Sequence, residues 1–329
     1  MPRRSVLSTA FATLAIVAVV GSAVPATSAG AADATPTAST VPSGTFPYEV
    51  VVDGVTRSAV VHVPASVAAR PDRPVPLVLH LHGGGGSPQN SIDTTGLVEA
   101  ADANGFVVVF PQGTPIAARL PDGTTGYVWN AGSCCAVAAR EDIDDVAFLQ
   151  ELIRSLEGSL PVDHDRVVMS GHSNGAMMTW RFACERGGVL AAAMPVSGSL
   201  ETPDPTTCAP RGTSLLAVHG DADRNHPIEG GTGTRSVSGV DFRPFADSVA
   251  AHAGGARCAR KPTVATSGVE TVTRYRRCAR GADVRSVVLA GADHPWPGAS
   301  ASGVAIQGVP FQEWSATDAL TELVQRTES

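Results

Sequence analysis

A serine flanked by glycines is the residue whose setting in this chain points most directly to chemistry. Ser173 is the middle residue of Gly-His-Ser-Asn-Gly at positions 171–175. An apolar, strand-like run precedes it at 166–170, and a helix-like run follows it at 176–183. Between a strand and a helix, the two glycines permit a tight, strained turn that holds the serine hydroxyl above the edge of a sheet. Ser173 is therefore predicted to be a nucleophile.

A serine hydroxyl is a poor nucleophile at neutral pH, so Ser173 needs a base and an acid that orients the base. In folds with this turn the acid and then the histidine follow the serine along the chain. Asp223 lies in a loop after the apolar run at 214–219, and His294 lies in a loop after the run at 284–289. We expect His294 to be the base and Asp223 the acid. Asp221, in the same loop as Asp223, is the alternative acid.

An ester-cleaving serine also needs two backbone N–H groups that stabilise the negative oxygen of the reaction intermediate. One donor is expected from Asn174, the residue after the nucleophile. The other is expected from the glycine run His-Gly-Gly-Gly-Gly at 82–86, which follows an early apolar strand. Glycines allow the substrate to approach the backbone there. Gly84 is the favoured donor, and Gly83 is the alternative.

The elements that must position these residues alternate between strands and helices. Continuous apolar runs at 76–81 and 106–110 are typical of strands that are buried on both faces. Further strands are expected at 191–196, 214–219 and 284–289. Helical patterns lie between and after them, at 97–103, 142–156 and 242–253, and from about 315. The runs at 48–52 and 59–63 flank Asp53-Gly54, a hairpin signal. These patterns predict an α/β fold with a mostly parallel central sheet, helices on both faces and an antiparallel N-terminal hairpin.

The N-terminal residues differ from the rest of the chain. Residues 1–31 combine an Arg-Arg pair, an apolar run and a small-residue cleavage site, which predicts a secretory signal peptide. Residues 32–45 are rich in Ala, Thr, Pro and Ser and predict a flexible lead-in. Residues 46–329 are predicted to form one catalytic domain. Localisation is accordingly expected to be extracellular.

The net charge of −7 argues against nucleic acid as a partner, because nucleic-acid binding requires a basic face. No later segment is apolar and long enough to cross a bilayer, so no membrane contact is expected after signal cleavage. We expect an ester substrate and a monomer.

Six cysteines in an exported chain indicate disulfides rather than metal ligands, and no metal is expected. Cys258 and Cys278 bracket a short strand-like segment and are predicted to pair. Cys134 and Cys135 are neighbours, and a bond between neighbours is unfavourable. We therefore expect them to pair with Cys184 and Cys208, in an order that the spacing leaves open.

Several motifs together resemble the extracellular polyhydroxybutyrate depolymerase and feruloyl esterase family. The matching segments are 79–84, 110–113, 129–135, 144–148, 171–178, 219–223 and 294–298, which cover most of residues 46–325 in order. His-Pro-Trp-Pro-Gly at 294–298 is the most specific of them. The resemblance implies the α/β-hydrolase fold and serine esterase activity without a cofactor, with Ser173, Asp223 and His294 as the catalytic triad.

The resemblance also implies that Trp129 and Trp296 line the substrate subsite. The expected substrates are hydroxyalkanoate oligomers, or feruloyl or acetyl esters of plant cell-wall polysaccharide. Two alternatives remain open: a secreted acyltransferase of the same fold and a generic esterase of small esters.

Overall fold

A ten-stranded sheet forms the centre of the computed structural model, which describes residues 41–120, 123–301 and 308–327. The strands are β1 Gly44–Val52, β2 Val55–Val63, β3 Val75–Leu81, β4 Val107–Pro111, β5 Thr114–Arg119, β6 Thr125–Val128, β7 Val162–His172, β8 Ala192–Val196, β9 Ser214–Gly220, β10 Thr263–Ser267, β11 Glu270–Tyr275 and β12 Val284–Leu289. The helices are α1 Ala65–Ala68, α2 Pro88–Thr95, α3 Leu97–Asn104, α4 Ala136–Arg140, α5 Asp145–Ser159, α6 Asn174–Glu185, α7 Phe245–Gly255 and α8 Ala316–Arg326. The predicted signal peptide and most of the predicted lead-in lie outside the described residues.

Six parallel strands form the middle of the large sheet, in the order β4-β3-β7-β8-β9-β12. The hairpin β1–β2 adds antiparallel to β4 at one edge, around a turn in which Asp53 and Gly54 both have positive φ angles. This arrangement confirms the predicted parallel sheet with an antiparallel N-terminal hairpin. A second antiparallel hairpin, β10–β11, completes the other edge and was not predicted as such.

Alternation along β3 explains how the sheet is buried on both faces. Leu77, Leu79 and Leu81 pack into a core that also receives side chains of α5, α6 and α7. Val78 points the other way, into a core that receives side chains of α3 and α8. Because both faces are covered, every position from 77 to 81 is buried, which is why the sequence shows a continuous apolar run there.

Three disulfides occur among the described residues. Cys258 is bonded to Cys278, the pair expected from the sequence. Cys134 is bonded to Cys135, and Cys184 to Cys208. The expectation that Cys134 and Cys135 pair with Cys184 and Cys208 is therefore wrong.

The reason for the different pairing is distance along α6. Cys134 packs beside Met177 in the first half of this helix, whereas Cys184 lies in its last turn. Seven residues of helix, about 10 Å, separate Met177 from Cys184, so Cys134 packs against a different part of α6 from the part that carries Cys184. Cys208 instead lies next to the end of α6, where the N–H of Ala209 donates to the carbonyl of Cys184.

Candidate active site

Ser173 lies in a sharp turn between β7 and α6, as its flanking glycines predict. Its φ angle is 56°, in the left-handed region that non-glycine residues rarely adopt, and its N–H donates to the carbonyl of Val196 at 2.9 Å. A Cβ at Gly175 would lie 2.2 Å from the carbonyl oxygen of Leu81, and one at Gly171 would lie 2.3 Å from the carbonyl oxygen of Gly175. Both positions therefore require glycine for this turn to form.

The structure brings the three predicted triad residues into hydrogen-bonding distance of one another. His294 Nε2 lies 2.8 Å from Ser173 Oγ, and His294 Nδ1 lies 2.7 Å from Asp223 Oδ2. The side chains of His294 and Asp223 are 4% and 0% exposed. These distances allow His294 to take a proton from Ser173 while its other ring N–H donates to Asp223.

The loop after β9 holds Asp223 in its ionised form. Its Oδ1 accepts hydrogen bonds from the backbone N–H groups of Asn225 and His226, both at 2.8 Å. Burial alone would raise the pKa of the Asp223 carboxyl, but the charge and hydrogen bond of His294 and the neighbouring His219 lower it to about 2. Asp221, the alternative acid, is exposed and accepts a hydrogen bond from the N–H of Gly291 instead. The structure thus places Asp223 rather than Asp221 against His294.

Two side chains hold the loop that carries His294. His172 Nε2 donates to the carbonyl of His294 at 2.8 Å. Burial, followed by the charge of His294, lowers the pKa of His172 to about 3, so that His172 stays neutral and keeps this donor. Asp293 pairs with Arg235 at 2.6 Å and accepts a hydrogen bond from the N–H of His294 at 3.0 Å. The Arg235–Asp293 pair therefore links the segment that contains Arg235 to the histidine loop.

The glycine loop and Asn174 meet beside Ser173, where oxyanion donors are expected. A Cβ at Gly84 would lie 3.5 Å from the Cβ of Asn174, and both residues line the cavity into which Ser173 opens. The Asn174 side chain exchanges two hydrogen bonds with the backbone of Trp129, at 2.7 and 3.1 Å. These contacts fix Asn174 at the start of α6.

His82 fixes the shape of the glycine loop. Its Nε2 accepts a hydrogen bond from the N–H of Gly113 at 3.1 Å, so its Nδ1 carries the proton that is donated to the carbonyl of Gly83 at 2.8 Å. Burial lowers the pKa of His82 to about 4, against the opposing effect of the Gly83 hydrogen bond. A neutral His82 therefore connects the glycine loop to the segment after β4.

Ser173 opens into a cavity of about 370 Å³ with mostly apolar walls. The lining residues are Gly84, Gly85, Ile116, Leu120, Val128, Cys135, Ala136, Ser173, Asn174, Met177, Asn225, His226, Ser236, Val237, Ser238, Phe242 and His294. Four of its polar lining residues, Asn225, His226, Ser236 and Ser238, come from the segment between β9 and α7. Such a cavity suits an apolar group that carries few polar atoms.

The two tryptophans expected at the subsite do not line this cavity. Trp129 is fully buried: its ring stacks near Phe148, and its Nε1 donates to the carbonyl of His82. Trp296 is 4% exposed and donates from Nε1 to the hydroxyl of Thr317. Both indoles pack into the protein interior, so the predicted subsite role is wrong for this structure. Trp129 instead supports the backbone next to the oxyanion position.

Sequence reasoning missed a buried carboxylate that connects the cavity walls. Glu201 is 3% exposed, and its carboxylate accepts hydrogen bonds from the Ser199 hydroxyl, the Ser133 hydroxyl and the N–H of Arg243. The Ser199 hydroxyl also lies 2.7 Å from His226 Nε2. No motif surrounds Glu201, because two of its three partners, Ser133 and Arg243, come from segments that are distant in the chain.

Two groups of side chains in the described part of the chain have the proximity that metal binding requires. In one, Cys184 and Cys208 lie near His252, but their sulfurs are joined in a disulfide. The other is formed by consecutive residues of β7, Asp163, His164 and Asp165. Neither group lines the cavity at Ser173. Among the described residues, no helix has the length and apolar character needed to cross a lipid bilayer.

Sequence comparisons find related esterases that match most of this chain. The family described as Phospholipase/Carboxylesterase matches residues 63–237, slightly more than half of the chain. NocK of Nocardia uniformis subsp. tsuyamanensis, which its name classes as an esterase, is 34% identical over 268 residues, covering 76% of this chain and 73% of NocK. The bifunctional acetylxylan esterase/xylanase XynS20E of Neocallimastix patriciarum is 28% identical over 145 residues, covering 44% of this chain and 18% of that protein.

Solved structures with the same fold include two hydrolases. Acetyl xylan esterase from Aspergillus awamori has a TM-score of 0.54 at 15% identity, covering 76% of this chain and 94% of its own. An S-formylglutathione hydrolase from Agrobacterium tumefaciens has a TM-score of 0.52 at 15% identity, covering 86% and 95%. These likenesses establish the fold. Together with the sequence matches, they show that the chain belongs to the phospholipase/carboxylesterase family and is an esterase of the α/β-hydrolase type.

Proposed function

We propose that the protein is a secreted serine carboxylic-ester hydrolase that works through an acyl-enzyme. The observation that carries this proposal is the continuous hydrogen-bonded line from Asp223 through His294 to Ser173, at a cavity with apolar walls. Such a line can deprotonate a serine hydroxyl while it attacks a carbonyl carbon. The three disulfides favour an oxidising compartment and so support secretion.

Acylation begins when His294 Nε2 takes the proton of Ser173 Oγ and the oxygen attacks the ester carbonyl. The charge that develops on the carbonyl oxygen faces the backbone N–H groups of Asn174 and Gly84 in the proposed oxyanion hole. His294 then gives its proton to the leaving alcohol, and the acyl group stays on Ser173. Throughout this step Asp223 stabilises the imidazolium, and its low pKa keeps it ionised.

Deacylation repeats the same proton transfers with water. His294 takes a proton from a water molecule, the hydroxide attacks the acyl carbon, and Ser173 leaves with the proton returned by His294. This chain's own residues supply every group that these steps require, so the proposal involves no cofactor.

The proposed substrates are hydroxyalkanoate oligomers and feruloyl or acetyl esters of plant cell-wall polysaccharide. Motif resemblance to polyhydroxybutyrate depolymerases and feruloyl esterases supports both classes, and two relatives are named as acetylxylan esterases. A cavity of about 370 Å³ has room for an acyl group much larger than acetyl. Its mostly apolar walls with a few polar side chains suit a short hydroxyacyl chain or a substituted aromatic ring.

The decisive experiment compares initial rates on a soluble hydroxybutyrate trimer and on a feruloylated arabino-oligosaccharide, with Ser173→Ala as the blank. A strong preference for the trimer would assign the enzyme to aliphatic polyesters, and a preference for the feruloyl ester would assign it to plant-wall breakdown. Turnover that persists in Ser173→Ala would contradict the serine mechanism. Added trehalose or alcohol in the same assay identifies an acyltransferase, because the main product would then be a new ester rather than a free acid.

A further inference from the structure

Seven basic side chains form a surface that the catalytic mechanism does not use. All seven are exposed, and we call them together the basic face: Arg211, Arg257, Arg260, Lys261, Arg276, Arg277 and Arg280. Between positions 257 and 280 the chain has seven Arg and Lys residues against one acid, Glu270, a formal +6 within a chain whose net charge is −7. The overall charge therefore conceals a strongly basic region.

Three covalent or hydrogen-bonded links hold the basic face together. The Cys258–Cys278 disulfide joins the segment at 257–261 to the segment at 276–280. The N–H of Ala259 donates to the carbonyl of Arg276 at 2.7 Å, and the guanidinium of Arg280 donates to the carbonyl of Arg211 at 3.3 Å. The cations are thus held side by side on neighbouring segments rather than on a loose loop.

Acidic side chains do not neutralise these cations. None of the seven has an ion pair with a described carboxylate, whereas the neighbouring Arg274 and Arg285 both pair with Asp283. Glu270 lies at the opposite end of the β10–β11 hairpin and accepts a hydrogen bond from Trp314. The positive charges of the basic face are therefore available to an external anion.

Backbone conformation gives a second, independent indication. In the described part of the chain nine non-glycine residues have positive φ angles, and four of them are arginines of this face, with φ between 48° and 58°. L-residues with a Cβ adopt this region at a cost in free energy, and glycine or asparagine is cheaper there. Long cationic side chains at four such positions point to a use for the side chains, since the turns themselves would be better served by glycine.

The basic face lies far from the nucleophile. It surrounds the start of β9 and β12, where the N–H of Leu215 donates to the carbonyl of Asp283. Asp223 and His294 lie in loops beyond the other ends of these strands. A strand of seven residues spans about 20 Å, so an anion on this face cannot be the ester held at Ser173.

We propose that the basic face binds an acidic polysaccharide that carries carboxylates along an extended chain, and that it holds the enzyme on such a polymer while the cavity at Ser173 remains open. Six of the seven cations are arginines, whose planar fork matches a carboxylate in two-point hydrogen bonds. Their arrangement on adjacent segments suits a chain with repeated charges better than a small ion. The face carries no exposed aromatic side chain on which a nucleic-acid base could stack. The exposed large apolar side chain nearest to it in the hairpin is Val264, which is a weak anchor for a bilayer.

Binding to polygalacturonate tests the proposal on the mature chain. The variant Arg257→Gln/Arg260→Gln/Arg277→Gln should bind at least about tenfold more weakly than wild type, because three charge-assisted hydrogen bonds are removed. Binding by the wild type should weaken with added salt. A matched control removes three exposed arginines elsewhere, Arg70→Gln/Arg140→Gln/Arg154→Gln, and should bind as wild type does. Hydrolysis of a soluble nitrophenyl ester should be the same in all three proteins, which separates failure of this proposal from failure of the proposed activity.

Several outcomes would overturn the proposal. Equal loss of binding in both triple variants would show that net charge alone is responsible. Unchanged binding in the basic-face variant, or no binding by the wild type at low salt, would exclude the site. Tighter binding to duplex DNA or to vesicles of anionic phospholipid than to polygalacturonate, measured at one salt concentration, would assign the face to a different polymer or to a membrane.

Discussion

Replacing Asp223 with Asn is expected to inactivate the enzyme because it moves the ring proton of His294 from Nδ1 to Nε2. In the wild type, Asp223 Oδ1 accepts two backbone N–H groups, from Asn225 and His226, while Oδ2 faces His294 Nδ1. An asparagine must keep its carbonyl oxygen toward the two backbone donors, so its NH2 group faces His294. The imidazole then has to accept at Nδ1 and carries its proton on Nε2, where it can no longer take the proton of Ser173.

The wrong tautomer of this kind costs about 10⁴-fold in kcat, or ~5 kcal/mol of transition-state stabilisation. The assay is kcat on a soluble nitrophenyl ester at neutral pH, with the melting temperature of each variant measured alongside. Asp221→Asn is the matched control, because Asp221 lies two residues away, is exposed and contacts Gly291 rather than the triad. It should retain activity within a few-fold of wild type.

Two results would refute this reasoning. If Asp223→Asn kept more than about a tenth of the wild-type kcat, the orientation imposed by the two backbone donors would not control the tautomer. If Asp221→Asn lost more activity than Asp223→Asn, the acid of the triad would be Asp221, and the geometry described above would not be that of the working enzyme.

Three further predictions concern the triad, acid stability and the histidine loop. Ser173→Ala and His294→Ala should each abolish almost as much kcat as the double variant, because triad members act as a unit; additive losses would show that the two residues act separately. Burial lowers the pKa of His252 from 6.5 to about 4. Between pH 6.5 and pH 4 the unfolded chain therefore binds more protons at this residue than the folded chain does. The free energy of unfolding falls as the pH drops through this range, and His252 accounts for ~3 kcal/mol of the loss. Between pH 7 and pH 4 the free energy of unfolding of His252→Gln should therefore fall by ~3 kcal/mol less than that of the wild type. Equal pH dependence in the two proteins would show that His252 does not have a lowered pKa. Arg235→Gln removes the ion pair with Asp293 and should raise KM about fivefold, corresponding to ~1 kcal/mol, with a smaller change in kcat; a fall in kcat at unchanged KM would mean that the pair acts on the chemistry instead.

Burial on both faces explains which strands could be predicted. The strands β3, β4, β8 and β9 are buried along almost their whole length, so their sequences are mostly apolar and their predicted positions agree with the structure to within one or two residues. The predicted bounds of β12 also agree, although Arg285 in this strand is only half-buried. The strand β10 is exposed at every position, and its Thr-Val-Ala-Thr-Ser sequence contains no burial pattern to recognise. Its pairing with β11 follows from the turn and the disulfide rather than from periodicity.

Chain order was sufficient to predict that Ser173, Asp223 and His294 lie together, because each follows a strand whose end is recognisable. Their catalytic roles remain predictions. The direction in which a side chain points could not be predicted from chain order. Trp129 and Trp296 lie next to loops of the site, but both indoles turn into the interior, where their N–H groups have partners. The role of Glu201 depends on Ser133 and Arg243, which are distant in sequence and meet it only in the folded chain. Such contacts leave no local signal.

The hydrogen bonds to Glu201 have a consequence for how the substrate preference of this enzyme can change over evolution. The Glu201 carboxylate accepts hydrogen bonds from the segments at 133–135, 199–201 and 242–243. A substitution in one of these segments therefore changes the position of the carboxylate that the other two contact. The effects of such substitutions on activity should not be additive. The wall contributed by Ile116, Leu120 and Val128 comes from the separate two-stranded sheet formed by β5 and β6, with Leu120 directly after β5. That wall makes no hydrogen bond to Glu201, and it can therefore vary one residue at a time. New acyl specificities should arise there first, with the other walls following only through paired substitutions.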